Sequence, residues 1–484
     1  MTNGCSRSSC VGDGNRRCSA ADTFWRPAAM LLALLACAVA FVPGRKYGAL
    51  LLAGGIAALA SVRPRTGLWA SCAFLIFLFV FCQETLLVGF TLPAVYLYWG
   101  TGVALITGGL LLAYCRARGA GVTWATVTKV DRAVLLVFLV SVVAALYGMA
   151  QRNDGFAVAR QFFGCLLLPT YYLVARRFLR SPEEACKWMR AVGWAVAVGA
   201  ACYVIKLGFL TLALGSYYRE QSAIGFYAGA VGAAWFAEMQ ELAPGQGRRW
   251  RWAGLAICGL AIILLGARFV AGSLAATVIL FALSHSRRRH RFLPACAAGL
   301  MLGALILPGI RRLPDSSGTV GEIAARFVFP LDEDLSYLGR VAQWQSVLEV
   351  IREHPLLGHG MGGEFSYATE QVSWLSGTTT YVDNGWGFLL LKMGITGLAA
   401  FLLLAGTVAH VAWRSRSAGV VIQRARRPLL AVLIFGLLSF TGGPTFLHFT
   451  QAGFLGTALG ALAGLSRMPC PELQGSAQEN EQPD

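Results

Sequence analysis

Arg268 stands between two apolar runs with no acidic residue beside it in sequence, and an unpaired charge in such a setting is costly enough to need a reason. A guanidinium binds phosphate oxygens bidentately and stays charged at any physiological pH, so an isolated arginine of this kind is a candidate anion ligand. The bland alternative is a helix-end side chain reaching to lipid headgroups or to a distant acid. A second cluster lies further on, where His354-Pro355 is followed by Leu-Leu-Gly358-His359-Gly360-Met361-Gly362-Gly363. Glycines there either make turns or expose backbone N–H groups to an anion, turns being the commoner use. His359 titrates near neutral pH and can take a proton. Asp383-Asn384 sits directly before an apolar run over 386–409, where the pair either works on a ligand or caps a helix.

The elements that must position these groups follow from composition. The 484 residues are 56% hydrophobic and only 13% charged, with a mean hydropathy of +0.59; an ordinary soluble chain carries roughly a quarter charged residues. Disordered and collagen-like chains are excluded, because 56 Gly and 17 Pro are scattered through apolar runs without a repeat. The expected fold class is an all-α polytopic membrane protein of about 12–14 transmembrane helices, each about 20 residues long. The spans are expected near 27–43, 47–62, 67–83, 93–115, 132–150, 159–177, 189–209, 221–238, 253–267, 268–284, 292–310, 386–409, 428–443 and 446–465. As one helix, 253–284 would reach ~48 Å, against a hydrocarbon core of ~30 Å. Two crossings turning near Gly266, Ala267 and Arg268 fit better.

The formal charge of +17 would suggest nucleic acid in a soluble domain, but its distribution marks topology instead, and no nucleic-acid partner is expected. Basic clusters alternate with apolar runs (Arg63 and Arg65; Arg116 and Arg118; Arg176, Arg177 and Arg180; Arg248, Arg249 and Arg251; Arg424, Arg426 and Arg427) and by the positive-inside rule face the cytoplasm. Residues 311–384 hold five Arg and ten acids, a net −5, and belong outside. The expected organisation is a cytoplasmic tail 1–24, a transmembrane bundle 25–310, an outer loop 311–385, terminal helices 386–466 and a second cytoplasmic tail 467–484. Within the loop, Val341, Trp344, Val347, Leu348 and Ile351 recur at helical spacing, predicting an amphipathic helix opened by Arg340 and stopped by His354-Pro355. None of the 13 Cys lies in the outer loop, and the N-terminal Cys spacings match no zinc pattern.

Arg340-Val-Ala-Gln-Trp344, then His354-Pro355-Leu-Leu-Gly358-His-Gly360-Met-Gly362, Asp383-Asn384 and Lys392-Met-Gly394-Ile-Thr-Gly397-Leu398, resemble the O-antigen ligase/polymerase family of bacterial envelope enzymes over about 253–409. Where that family tends to show Ser-Arg at the outer end of a span, this chain has Ala267-Arg268. Where it tends to show His-Asn, this chain has Asp383-Asn384. The resemblance implies a glycosyltransferase in the bacterial inner membrane. It would move or polymerise a glycan from an undecaprenyl-pyrophosphate donor onto the hydroxyl of an acceptor glycan or glycolipid, among membrane lipids and without metal or other cofactor.

A departing pyrophosphate needs positive charge, and arginine supplies it where no metal does. Arg152, Arg160, Arg219, Arg268, Arg311, Arg312 and Arg340 map to the outer side, against the usual bias. Arg268 is the strongest candidate among them. Arg219 and Arg340 match arginines that the family tends to carry, and Asn384 and Gly360 complete the expected substrate contacts. The proton of the acceptor falls to Asp383 or to His359, a carboxylate near ~4 being a weaker base than an imidazole near ~6.5. Lys392, one turn and more into its span, either meets the lipid pyrophosphate from below or snorkels outward, and snorkelling is the favoured expectation. A transporter or flippase of the same lipid-linked material is the alternative, with charges near the midplane and paired halves; a non-catalytic scaffold is the third.

Overall fold

The computed structural model describes residues 45–82, 92–118, 127–214, 224–240, 248–265, 268–284, 335–367, 377–414, 420–448 and 450–466. In chain order the helices are α1 (Arg45–Val62), α2 (Pro64–Cys82), α3 (Leu92–Arg118), α4 (Lys129–Ala150), α5 (Gly155–Phe178), α6 (Pro182–Leu214), α7 (Ile224–Met239), α8 (Arg248–Leu265), α9 (Arg268–Ser284), α10 (Leu335–Glu353), α11 (Gly385–Arg414), α12 (Val420–Ser439) and α13 (Ala452–Leu465). Between α10 and α11, β1 (Phe365–Tyr367) pairs antiparallel with β2 (Gly377–Thr379), Phe365 opposite Thr379. This is an all-α multi-pass membrane architecture. Six helices among the described residues are long and apolar enough to cross a bilayer, and three shorter apolar ones accompany them. The expected spans 27–43 and 292–310, both tails and Arg311 and Arg312 lie outside the described residues.

The 253–284 run divides as its length requires. α8 stops at Leu265 and α9 starts at Arg268. A side chain on Gly232 would touch both Leu255 (3.2 Å) and Leu274 (3.7 Å), which a straight helix would hold nearly 30 Å apart at about 1.5 Å per residue. α8 and α9 therefore run in opposite directions along α7. α13 is buried on every side, as its uniformly apolar and small residues allow. It lies so close to α5 that a Cβ on Gly456 would fall 2.4 Å from the Leu168 carbonyl, the close approach that small residues give membrane helices.

The basic clusters gather at one end of the bundle. Arg65 pairs with Glu184 and donates to the Phe178 carbonyl; Arg176 pairs with Asp131 and Arg177 donates to the Ala117 carbonyl. Arg251 pairs with Glu238 at 2.7 Å, and Arg426 donates to the Leu465 carbonyl. The charged ends of α3, α5, α12 and α13 thus meet, and the starts of α5, α9, α11 and α13 lie at the opposite end.

α11 is interrupted. Gly394 has φ 62 and ψ −158, and the freed amides of Ile395 and Thr396 donate to the carbonyls of Pro355 and Leu356. A Cβ at Gly394 would sit 2.3 Å from the Leu356 oxygen in a left-handed backbone that side chains resist. Gly394→Ala is therefore expected to cost at least about 2 kcal/mol, read as a lower melting temperature of the lipid-embedded protein. An unchanged melting temperature would remove this account of the break.

Candidate functional site

The site grows from the connection that leads into α11. Gln161 Nε2 and Arg160 Nη2, both on α5, donate to the backbone oxygen (2.9 Å) and hydroxyl (3.1 Å) of Thr380. Asp383 N–H donates to Gln343 Oε1 of α10 at 3.2 Å. Asn384 Oδ1 accepts from the amides of Trp386 (2.8 Å) and Gly387 (3.3 Å), an N-cap that satisfies two of the free donors at the start of α11. The capping role left open for Asp383-Asn384 thus falls to Asn384. Among the described residues the Asp383 carboxylate has no hydrogen-bond or ion-pair partner. Behind this connection Phe440 packs edge-on to Trp386, with ring centroids 5.2 Å apart, and stacks on Phe401 at 4.5 Å.

α10 presents its apolar residues Val347 and Val350 to the core and Trp344 to the start of α11. It begins at Leu335, five residues earlier than expected, because Leu335 and Leu338 extend the apolar spacing backward. Arg340 therefore lies in its second turn instead of opening it. Its guanidinium carbon sits 4.6 Å from the centroid of the Phe269 ring, a cation–π distance. Its Nε is buried without a hydrogen-bond partner among the described residues, a costly state for a charged group. Phe269 follows Arg268 in the first turn of α9 and lies against Gly442, while Gly443 approaches the Asp383 carbonyl. Arg340, the α9 N-terminus with Arg268, and the Asp383-Asn384 pair are thereby brought to one place. Gln343, one helical turn after Arg340, accepts from the Asp383 N–H and so sets the start of this connection against the helix that carries the arginine. Arg219 lies outside the described residues.

His359 and Gly360 go elsewhere. Gly358, Gly360 and Gly362 take positive φ (60, 74 and 76), and Gly358 and the run Gly360–Gly363 are buried. Their neighbours' amides are spent on protein acceptors: His359 N–H on Leu391, Met361 N–H on Ala144, Gly362 N–H on the Gln161 side chain. Asn153 Nδ2 donates to the carbonyls of both His359 and Met361. A Cβ at Gly360 would meet the Gly148 backbone at 2.7 Å. The glycine segment is a packing wedge between α4, α5 and α11, the commoner of the two uses weighed for it. Lys392 does not snorkel. It is fully buried and its Nζ donates to the Gly363 carbonyl, because the break at Gly394 lets the wedge sit beside it. His359 lines a separate pocket of about 310 Å³ with Glu349, Glu353 and Glu364, and Asp383 and Arg340 are not in its wall. Burial also holds its imidazole below the usual value.

Residues 253–402 match the O-antigen ligase family model. No curated protein matches the chain. The O-antigen ligase region runs from α8 into α11 and contains Arg268, Arg340, His359, Gly360, Asp383 and Asn384, in keeping with membership of the O-antigen ligase/polymerase family. Arg160 and Arg219 fall before it.

One residue beyond the O-antigen ligase region escaped the sequence reading. His448 was expected inside a span over 446–465, but α13 begins only at Ala452. Gly442-Gly443-Pro444 break the chain, and turn bonds from Leu447, Gln451 and Thr450 replace the helix. His448 Nδ1 shares a 2.7 Å hydrogen bond with Thr450 Oγ1, and its ring meets Tyr381 edge-on with centroids 6.5 Å apart. It thus stands two residues from Asp383 by way of Tyr381. Burial, and then the Arg160 guanidinium, push its imidazole down to about 4. A histidine whose folded pKa lies below its unfolded value of about 6.5 binds more protons unfolded than folded between those pH values, so stability falls as pH drops from about 6.5 to 4. Melting temperature should accordingly fall more steeply over that window in the wild type than in His448→Gln. Parallel profiles would contradict the neutral buried state.

Proposed function

We propose that this protein is a membrane glycosyltransferase that moves or polymerises a glycan from an undecaprenyl-pyrophosphate donor onto an acceptor hydroxyl at the outer face of the bacterial inner membrane. The observation that carries the proposal is Arg340: a half-buried arginine whose Nε is buried and unpartnered among the described residues, packed on Phe269 in the first turn of α9, on the helix whose Gln343 accepts from the Asp383 N–H. Such an arrangement is prepared for an anion that the described residues do not supply. The positive end of a helix adds to it, and Arg268 is the first residue of that helix.

The acceptor oxygen attacks the anomeric carbon, the bond from that carbon to the pyrophosphate oxygen breaks, and the leaving group departs with the electron pair. Arg340 and the α9 N-terminus offset the charge that develops there. Asp383, with its carboxylate uncommitted, takes the proton of the acceptor hydroxyl, while Asn384 holds the start of α11 in register. The arginine-rich end of the bundle then faces the cytoplasm, in accord with the positive-inside rule, and the site faces outward.

A transporter of the same lipid would keep its working charges near the midplane; the uncommitted groups here lie where helices begin, and the deep cation Lys392 is bonded to Gly363. The test is purified protein in lipid supplied with an undecaprenyl-pyrophosphate oligosaccharide and candidate acceptors. Covalent product with release of undecaprenyl pyrophosphate is expected. Movement of intact donor between leaflets without product would favour transport instead.

A further inference from the structure

We propose that Glu353, His354 and His359 form a zinc site that clamps the end of α10 to the glycine wedge, at a position separate from the glycan-transfer groups. The ligating atoms of these three side chains all lie within 4.8 Å of one another, although they come from a helix terminus, the residue that stops the helix and a loop five residues on. Two imidazoles and one carboxylate are a borderline-soft donor set that suits Zn²⁺ and leaves a fourth position for water.

Orientation supplies the second argument. His359 Nδ1 is 3.1 Å from the Glu364 carbonyl oxygen, and a carbonyl only accepts, so Nδ1 carries the proton. The Nε2 lone pair is then available for a metal. A ring N–H donated to a backbone carbonyl is the usual outer-shell support of a metal-binding histidine. The two imidazoles meet edge-on with centroids 5.3 Å apart, near enough for both rings to reach one ion.

The surroundings favour a cation. Glu349, Glu353 and Glu364 line the pocket with His359, and among the described residues no lysine or arginine does. Glu349 and Glu353 are one turn apart on α10, a like-charge spacing that destabilises a helix unless something offsets it. The pocket also receives the C-terminal end of α10, the negative pole of its dipole. The backbone is already set: Gly358 N–H donates to the His354 carbonyl and His359 N–H to the Leu391 carbonyl, while Glu353 and His354 are exposed and free to turn onto an ion. Bound zinc would fix the C-terminal end of the helix that carries Arg340 and Gln343 against the wedge seated on α4, α5 and α11.

The test is zinc titration of the full chain in lipid nanodiscs, with any affinity tag removed and metal stripped beforehand, beside His354→Asn, His359→Ala and Glu353→Gln. The wild type is expected to retain one zinc more per chain than each variant. Affinity at that site should fall at least ~10-fold on loss of any one ligand, and zinc should raise the melting temperature of the wild type only. Excess Mg²⁺ should not displace the ion, because nitrogen donors select against it. The exposed His354→Asn variant, melting like the wild type without metal, separates loss of binding from misfolding. Equal zinc retention by wild type and His354→Asn, or displacement by Mg²⁺, would overturn the site.

Discussion

Arg340→Ala is expected to lower glycan transfer from an undecaprenyl-pyrophosphate donor at least ~100-fold, the usual loss when one preorganised donor to a developing anion is removed. The wild-type guanidinium is held by the Phe269 ring with its Nε already out of water, so its desolvation cost is met in folding and its field acts in a protected setting. Arg340→Lys should restore only a small part of the rate: an ammonium keeps the charge but loses the planar fork that engages two phosphate oxygens at once. Both variants should fold, because the side chain has no hydrogen-bond partner to lose among the described residues. A full rate in Arg340→Ala, measured on protein that melts like the wild type, would remove Arg340 from the leaving-group site.

The second large effect is expected at Asp383. Asp383→Asn keeps the size of the side chain and the backbone bond to Gln343 but removes the proton acceptor, and a loss of ~10²–10⁴ in turnover follows if the carboxylate is the general base. The loss should appear in turnover at saturating donor, with donor affinity nearly unchanged, since the pyrophosphate is held by other groups. Equal turnover in Asp383→Asn would shift the proton transfer to another group, and His448, beside Tyr381 and kept neutral at physiological pH, would be the next residue to replace.

Much of this arrangement is legible in the chain because it follows from local rules. Apolar runs separated by basic clusters delimit the helices, and the length of 253–284 alone forces its division, since α8 and α9 must both lie along α7. Apolar spacing likewise marks α10. What stayed hidden depends on partners distant in sequence. The glycine segment stays open between turn and anion loop until the Ala144 carbonyl, the Gln161 side chain and the Leu391 carbonyl are found to take its amides. The fate of Lys392 turns on the Gly363 carbonyl, a backbone group with no sequence signature. His448 sits in an apolar stretch that reads as helix, whereas turn bonds to Pro444 and His448 and the packing of Phe440 and Phe446 against Phe401 hold a turn there. Asp383 and Asn384 were legible as a pair but not in their division of labour, because a cap and an uncommitted carboxylate look alike in sequence.

The most direct measurement is an electron cryomicroscopy map of the protein in lipid with undecaprenyl pyrophosphate bound. The pyrophosphate is expected between the Arg340 guanidinium and the first turn of α9, with phosphate oxygens about 3 Å from guanidinium nitrogens and the lipid chain leaving toward the bilayer. A pyrophosphate bound instead at Gly358–Gly363, or at the arginine-rich end of the bundle, would contradict the assignment of the site.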